Sequence, residues 1–127
     1  MISYAEKYKD LKTKQKGALI PFAVLGDPDI ATSFEIIKTI IDKGADILEL
    51  GMPFSDPIAD GPTIQTADTR ALKNGVNIHK CIKLLERIRA YSDIPIGLLM
   101  YSNLIINYGP EKFYRKMHAM DINSVLI

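Results

Sequence analysis

Apolar residues along this chain fall into short continuous runs that alternate with stretches where they recur every three or four positions. A continuous run bounded by glycine, proline or polar residues is typical of a strand buried on both faces of a parallel sheet. The wider spacing is typical of amphipathic helices. The pattern predicts strands over residues 18–25, 45–51, 94–101 and 124–127, and helices over 3–14, 31–43, 63–73, 78–88 and from 109 onward.

Several predicted helix ends carry capping signals. Ser3 and Glu6 have capping-box spacing at the start of the first helix. Asn77 can cap the fourth helix, and Pro110 is favoured in the first turn of the last one. Gly44 follows the second helix, at the position where a left-handed residue usually ends a helix.

Strands that alternate with helices indicate an α/β fold with a parallel sheet covered by helices. Four such units make half of a (β/α)8 barrel, a TIM-barrel fold that usually needs about 250 residues. The last apolar run has no helix after it and would leave an unpaired sheet edge. We therefore expect residues 1–127 to be the N-terminal half of a single TIM-barrel domain, with an N-terminal helix and roughly the first four β/α units.

Composition and charge narrow the class of protein. The chain has 127 residues, 47% hydrophobic and 24% charged, as in ordinary globular domains. Its 16 basic and 15 acidic residues give a net charge of +1, which offers no field to attract nucleic acid or an anionic membrane. Cys81 is the only cysteine, and no segment resembles a signal peptide or a membrane span. We expect a soluble, cytoplasmic protein without disulfides.

Glu49 is the first candidate for chemistry, because it stands near the end of the predicted second strand. Side chains alternate between the faces of a strand, so Glu49 and Gly51 share one face. Leu48 and Leu50 share the other, which suits packing on helices. Glu49 would then point into the barrel near its C-terminal mouth, where barrel enzymes build active sites. The alternative is a glutamate at the strand end that pairs with a lysine on a neighbouring element.

Asp56 and Asp60 follow in a loop that contains Pro53, Pro57 and Pro62. Three prolines in ten positions indicate a loop held in one shape, which suits a carboxylate with a catalytic role. Aspartate is also an ordinary turn former, because it hydrogen-bonds its own backbone. Asp60 could equally be the N-cap of the following helix. The spacing alone leaves these interpretations open.

Phe22, Leu99 and Tyr101 fall along or at the ends of predicted strands. At the barrel mouth they could wall a flat apolar ligand, and ordinary barrel core is the alternative. His79 and His118 lie within helical patterns, where we expect surface positions. The sequence has no zinc-ligand spacing, glycine-rich nucleotide loop or Ser-His-Asp arrangement, so we expect no metal site.

A series of motifs along essentially the whole chain resembles the tryptophan synthase α chain family. The motifs are Pro21-Phe22, Leu25-Gly26-Asp27-Pro28, Leu48-Glu49-Leu50-Gly51, Pro53-Phe54-Ser55-Asp56-Pro57, Ala59-Asp60-Gly61-Pro62-Thr63-Ile64-Gln65 and Gly97-Leu98-Leu99-Met100-Tyr101. The resemblance implies a TIM-barrel lyase of tryptophan biosynthesis, which cleaves indole-3-glycerol phosphate to indole and glyceraldehyde 3-phosphate.

The resemblance also implies roles for individual residues. Glu49 would move protons at indole C3 and at the glycerol hydroxyl, and Asp60 would bind the indole N–H and stabilise the cationic tautomer. Substrate-binding positions would be Phe22, Leu99, Tyr101, Leu126 and Thr63. The contact surface for a β subunit would include Pro53, Asp56 and Pro57.

The resemblance further implies an α2β2 tetramer in which indole passes to the pyridoxal phosphate site of the β subunit. This chain would need no cofactor of its own. The family binds the substrate phosphate in the second half of the barrel, so we expect residues 1–127 alone to be inactive.

Two other classes stay open. One is another phosphate-binding barrel, such as a tryptophan- or histidine-pathway isomerase, although that class lacks the proline- and aspartate-rich series over residues 53–65. The other is a half-barrel interaction module that assembles with a second half, or as a dimer across the fourth strand.

Overall fold

The computed structural model describes every residue from 1 to 127, which form six α-helices and four β-strands. In chain order they are α1 Tyr4–Thr13, β1 Phe22–Val24, α2 Ile30–Asp42, β2 Leu48–Gly51, α3 Pro62–Lys73, α4 Ile78–Tyr91, β3 Ile96–Leu99, α5 Ser102–Tyr108, α6 Pro110–Ala119 and β4 Ser124–Leu126. The predicted alternation of strands and helices is confirmed.

The four strands form one parallel sheet in the order β1-β2-β3-β4. Phe22 pairs with Glu49, Glu49 with Gly97, and Gly97 with Ser124. Side chains in register on parallel neighbours point to the same side of a sheet, so these four positions share one face, which we call the inner face. The opposite, outer face is the one that the connecting helices cover.

The hydrophobic core lies between the outer face and those helices. Leu48, Leu50, Ile96 and Leu98 are all at most 1% exposed and alternate with the inner-face positions. They form one cluster with buried helical residues, among them Ile37, Leu84, Leu85, Ile88 and Phe113. The predicted parity of β2 is therefore confirmed, with the leucines toward the helices and Glu49 on the other face.

The helix ends follow the capping signals in the sequence. Ser3 Oγ accepts from the Glu6 backbone N–H at 3.2 Å, and the Glu6 carboxylate accepts from the Ser3 N–H at 2.8 Å, which completes the capping box. Asn77 Oδ1 accepts from the Lys80 N–H at 2.9 Å. Gly44 has a φ of +100°, a conformation that glycine adopts without strain.

Three of the four strands begin later along the chain than predicted, and β4 begins at Ser124 as predicted. Pro21 and Pro95 have no backbone N–H to donate to a ladder, and β1 and β3 each begin at the next residue. β2 begins at Leu48 rather than at residue 45, because the Leu19 N–H donates to the Asp46 side chain at 2.9 Å and not to a backbone carbonyl of a regular strand pair.

Arg89 ties α4 to the segments that lead into the last two strands. Its guanidinium donates to the carbonyl oxygens of Ser92 and Ile94, before β3, at 3.1 and 2.9 Å. It also donates to those of Met120 and Asp121, before β4, at 3.0 Å each. A single side chain thus satisfies four acceptors that the turns leave without partners.

Helix α5 is an element that the sequence pattern does not predict. It has seven residues, of which only Ile105 is buried, so it is too short to show a helical period. None of the chain's helices combines the length and apolar character that crossing a membrane would require.

Candidate active site

A cavity of about 490 Å³ opens where β2 and β3 end. Eight of its twelve lining residues are hydrophobic, and its size suits a small organic ligand. The hydrophobic residues are Phe22, Met52, Ala59, Ile64, Leu99, Met100, Tyr101 and Ile127, and polar atoms come from Asp60, Asp68, Ser102 and the Tyr101 hydroxyl. No lysine, arginine or histidine lines it. The carboxyl ends of parallel strands are the usual place for a ligand site in α/β proteins.

Tyr101 holds Asp60 at the edge of this cavity. The Tyr101 hydroxyl donates to Asp60 Oδ2 at 2.9 Å and accepts from the Ala59 backbone N–H at 3.0 Å. The Phe54 ring stacks on the Tyr101 ring, with centroids 5.1 Å apart. One tyrosine therefore fastens the loop between β2 and α3 to the end of β3. Asp60 Oδ1 is left without a protein donor and can accept from a ligand.

Asp60 does not cap α3, which excludes one of the interpretations that the sequence leaves open. Gly61 occupies the N-cap position, without a side-chain hydrogen bond. The backbone of Asp60 is held by Gln65, whose amide donates to the Asp60 carbonyl at 2.8 Å. Burial raises the pKa of Tyr101, and the bond to Asp60 raises it further, so the hydroxyl stays protonated at neutral pH and keeps donating to Asp60.

Asp68 is a second cavity carboxyl, and the sequence patterns do not single it out. It is 4% exposed and lies on the second turn of α3. Burial raises its pKa to about 6; the negative charges of Asp60 and Asp27 also raise it, whereas a hydrogen bond from the Phe54 backbone lowers it. The signal in the sequence is its spacing, because Asp68 follows Ile64 by four positions and so stands on the apolar stripe of the helix.

Glu49 lies on the inner face, half-buried, but it does not line the cavity that holds Asp60. It lines an adjoining cleft of about 570 Å³, together with Tyr4, Gly97 and Leu126. The two spaces adjoin along β2, because Gly51 lines the first of them and stands two residues, roughly 7 Å, beyond Glu49. The two predicted carboxylates therefore share a face of the sheet and occupy neighbouring spaces.

Gly51 gives Phe22 its place in the cavity wall. A Cβ at Gly51 would lie 2.6 Å from Phe22 Cζ, far inside van der Waals contact. Without that atom, the phenyl ring lies across the end of β2, beside the Asp60 cavity. A larger residue at position 51 would push the ring aside and change the shape of the cavity.

The loop predicted to contact a partner presents a polar and an apolar group side by side. Pro53 is buried and Pro57 half-buried, so the prolines anchor the loop, whereas Asp56 is exposed. Ser55 Oγ donates to the Asp56 carboxylate at 2.7 Å. Ile58, which the sequence patterns do not single out, is 89% exposed on the same loop, two residues after Asp56.

The positions predicted to bind substrate do not all line the Asp60 cavity. Leu99 and Tyr101 line the Asp60 cavity, but Leu126 is 60% exposed and lines only the Glu49 cleft. Thr63 is exposed in the first turn of α3, and its neighbour Ile64 lines the cavity instead. No group of three or more histidine, cysteine, aspartate or glutamate side chains is arranged to hold a metal ion.

A parallel four-stranded sheet with helices on its outer face and a largely apolar, ligand-sized cavity at its carboxyl edge defines the class: a β/α-barrel protein, of which these residues form the first four strands. The family model for the tryptophan synthase alpha chain matches residues 8–127. The chain belongs to the tryptophan synthase alpha chain family.

Individual relatives agree with this. The tryptophan synthase alpha chain of Photorhabdus laumondii is 51% identical, over 100% of this chain and 48% of the relative. A solved structure from Aquifex aeolicus superposes with a TM-score of 0.91 at 42% identity, over 96% of this chain and 49% of that one. A structure of the tryptophan synthase complex from Pyrococcus furiosus gives 0.82 at 39% identity, over 87% and 46%. The chain spans about half the length of the curated relatives it matches.

Proposed function

We propose that this chain carries the proton-transfer part of an active site for aldol cleavage of indole-3-glycerol phosphate, which gives indole and glyceraldehyde 3-phosphate. The observation that carries the proposal is the Asp60 carboxylate, fixed by Tyr101 at the edge of an apolar cavity with one oxygen free. Family membership supports the choice of substrate. The enzyme class would be a lyase of tryptophan biosynthesis.

Asp60 would stabilise positive charge on the indole ring. When a proton adds to C3, the ring becomes a cationic indolenine whose N–H is a strong donor. A carboxylate with a free oxygen beside apolar walls can accept from that N–H, and the low polarity of its surroundings strengthens the interaction. Tyr101 restricts Asp60 to one orientation, so little reorganisation is needed when the charge develops.

Glu49 would move the protons. It would donate one to indole C3 and take one from the hydroxyl on the carbon attached to C3. The bond between C3 and that carbon then breaks, its electrons return to the ring, and the hydroxyl carbon becomes the aldehyde. One proton is added and one removed, so the carboxyl ends in its starting state. Glu49 lies on the inner face of β2, in the cleft beside the Asp60 cavity. This position suits a group that acts on the carbon attached to indole C3, where the glycerol phosphate part of the substrate begins.

The substrate phosphate would bind to residues beyond these 127. The Asp60 cavity has two carboxyl groups and no basic side chain, so it repels rather than holds a phosphate. In full-length relatives the second half of the barrel would supply that anchor. Residues 1–127 alone would therefore be inactive, and no cofactor would act in this chain.

The loop over residues 53–58 would dock on a pyridoxal phosphate-dependent β chain that receives the indole, in an α2β2 assembly. Its rigid prolines, the exposed Asp56 and the exposed Ile58 supply a shaped surface with one charged and one apolar contact. The structure of a tryptophan synthase complex among the relatives supports such a partnership.

Indole release by a chain of full family length, with the Glu49→Gln variant, tests the proposal. The variant keeps the size of the side chain but cannot transfer protons, so we expect indole formation to be abolished while the circular dichroism spectrum is unchanged. Near-normal turnover by this variant would remove Glu49 from the mechanism. The 127-residue polypeptide should release no indole. Activity within about tenfold of the full-length chain, a barrier difference of about 1.4 kcal/mol, would refute the proposal that the site needs a phosphate anchor beyond these residues.

A further inference from the structure

We propose that Arg70 and Asp27 are positioning residues of the Asp60 cavity, because their ion pair holds α3 against the loop between β1 and α2. The pair thereby sets the spacing between two walls of the cavity, Phe22 on β1 and Ile64 on α3. It governs how tightly the indole ring is held rather than how protons move. Its effect on indole binding rests on the proposed function, but its effect on the position of the helix does not.

Helix α3 has little apolar packing of its own to fix its position. Its only buried residues are Ala67, Asp68 and Ala71, whereas α4 buries five side chains larger than alanine. Large side chains that interdigitate lock a helix in place, and alanines leave a smoother surface on which a helix turns or slides more easily. Polar contacts must therefore supply much of what fixes the position of α3.

Two such contacts, one helical turn apart, fasten α3 to the β1–α2 loop, residues 25–29. The Arg70 guanidinium donates from Nε and Nη2 to the two carboxylate oxygens of Asp27, at 2.8 Å each. Asn74 Nδ2 donates to the Pro28 carbonyl at 2.6 Å. A paired bond between guanidinium and carboxylate restrains orientation as well as distance. Because residues 70 and 74 share one face of the helix, the two contacts together resist rotation of α3 about its axis.

The β1–α2 loop is itself a fixed base for these contacts. The Gly26 backbone N–H donates to the buried Ser33 hydroxyl of α2 at 3.0 Å. Gly26 has a φ of +81°, and a Cβ there would lie 2.6 Å from the side chain of Val76, in the segment after α3. The lack of a side chain at position 26 lets the end of α3 approach the loop closely. Because the loop directly follows β1, fastening α3 to it also fixes α3 relative to Phe22.

Rotation of α3 would change the cavity, because two lining residues lie on this helix. Ile64 and Asp68 stand four positions apart and share the face that lines the cavity. Arg70 lies roughly 120–160° away from them around the helix axis, with the buried alanines between the two faces. Arg70 and Asp27 do not line the cavity. Loss of their ion pair would let α3 turn on its alanine face and move Ile64 relative to Phe22.

Indole binding to a chain of full family length, measured by NMR titration, tests this role without any turnover. Arg70→Met keeps an aliphatic stem and removes both bonds to Asp27, so we expect the Kd for indole to rise roughly tenfold. Asp27→Asn should also raise it, and the double variant should raise it no further than Arg70→Met alone, because the same contact is lost. Arg70→Lys keeps the charge but not the paired geometry, so it should recover only part of the affinity.

Arg115→Met is the matched control. Arg115 also donates twice to a carboxylate, that of Glu111, at 3.1 and 2.8 Å, but this pair is exposed on α6 and does not line the cavity. We expect its Kd for indole to stay within about twofold of the parent. The proposal is overturned if Arg70→Met also stays within that range, or if both variants weaken indole binding equally. Full affinity in Arg70→Lys would overturn the role of the paired geometry.

The ligand-free chain gives a second readout. The NMR signals of the Ile64 methyl groups depend on the ring currents of nearby aromatic side chains, and so on the position of α3 in the cavity wall. These signals should shift in Arg70→Met and stay in place in Arg115→Met. Unshifted Ile64 signals in Arg70→Met would overturn the structural role.

Kinetics on a chain that releases indole separate ring binding from proton transfer. In Arg70→Met, KM should rise about as much as the Kd, while kcat falls less than about threefold, because Tyr101 still holds Asp60. A fall in kcat with KM unchanged would overturn the role in ring binding. If the parent chain neither binds nor releases indole, the proposed function fails, and the Ile64 signals still decide whether the ion pair positions α3.

Discussion

Replacing Asp68 by asparagine should make the chain more stable at neutral pH. Burial raises the pKa of Asp68 from its usual 3.8 to about 6, so the folded state binds the proton more tightly than the unfolded state does. Below pH 3.8 both states are protonated and the residue has no net effect. Between pH 4 and 6 the unfolded chain ionises first, and stability falls as pH rises; above 6 the full penalty remains.

The size of the effect follows from that shift. A rise of about two pKa units at about 1.4 kcal/mol each gives a penalty of about 3 kcal/mol. Because Asp68 lines a cavity open to solvent, screening lowers this, and we expect about 1–3 kcal/mol. Asparagine has the shape of the protonated acid and no charge, so the variant escapes the penalty.

Urea unfolding of the full chain, followed by circular dichroism at half-unit steps from pH 4 to 7.5, measures the effect. The stability curve of the Asp68→Asn variant should meet that of the parent near pH 4 and rise above it with increasing pH. Asp56→Asn, which removes an exposed carboxylate from the neighbouring loop, should follow the parent within about 0.5 kcal/mol throughout. If the Asp68→Asn variant also stays parallel to the parent, Asp68 is not a buried carboxyl with a raised pKa.

Three further changes test other parts of the structure. Tyr101→Phe removes the donor to Asp60 and should lower kcat/KM for indole release by a full-length chain about tenfold to a hundredfold, with little loss of stability; an unchanged rate would show that Asp60 needs no such support. Phe113→Ala empties a fully buried site and should cost about 3–5 kcal/mol in urea unfolding, whereas Tyr114→Ala, at an exposed position, should cost less than about 1 kcal/mol. Arg89→Met leaves four carbonyl groups without a donor and should lower the free energy of unfolding by about 3 kcal/mol. Arg87→Met is the control, because the Arg87 guanidinium lies over the Phe34 ring at the surface, and it should cost several times less. Equal costs would contradict the role of Arg89 in connecting α4 to the segments before β3 and β4.

Much of the fold is predictable because local rules and burial agree along the chain. Leu48 and Leu50 stand two apart, so their side chains had to share a face, and their size assigned that face to the helices. The capping box at Ser3 and the glycine at position 44 fix helix ends by local hydrogen bonding and backbone conformation. The predicted starts of β1 and β3 were wrong because the loss of one donor at Pro21 or Pro95 outweighs the apolar character of the residues before it, whereas β4 begins at Ser124 as predicted.

The site is less predictable because its members meet only through the fold. Nothing in the spacing of residues 60 and 101 indicates that Tyr101 binds Asp60, since the contact depends on how the β2–α3 loop folds back on β3. Asp68 stands on the apolar stripe of α3, but its burial beside the cavity becomes visible only in the folded chain. The N-cap interpretation of Asp60 was reasonable from sequence and is excluded only by the position of Gly61.

The most direct test concerns Asp60, measured as kcat/KM for indole release by a chain of full family length. Asp60→Asn keeps the shape of the side chain and removes the charge that would stabilise the indolenine cation. We predict a fall of at least about a hundredfold, about 2.7 kcal/mol of barrier, with cooperative unfolding preserved. Asp56→Asn, on the same loop but outside the cavity, should keep the parent rate. A rate for Asp60→Asn within about threefold of the parent would contradict the role assigned to Asp60.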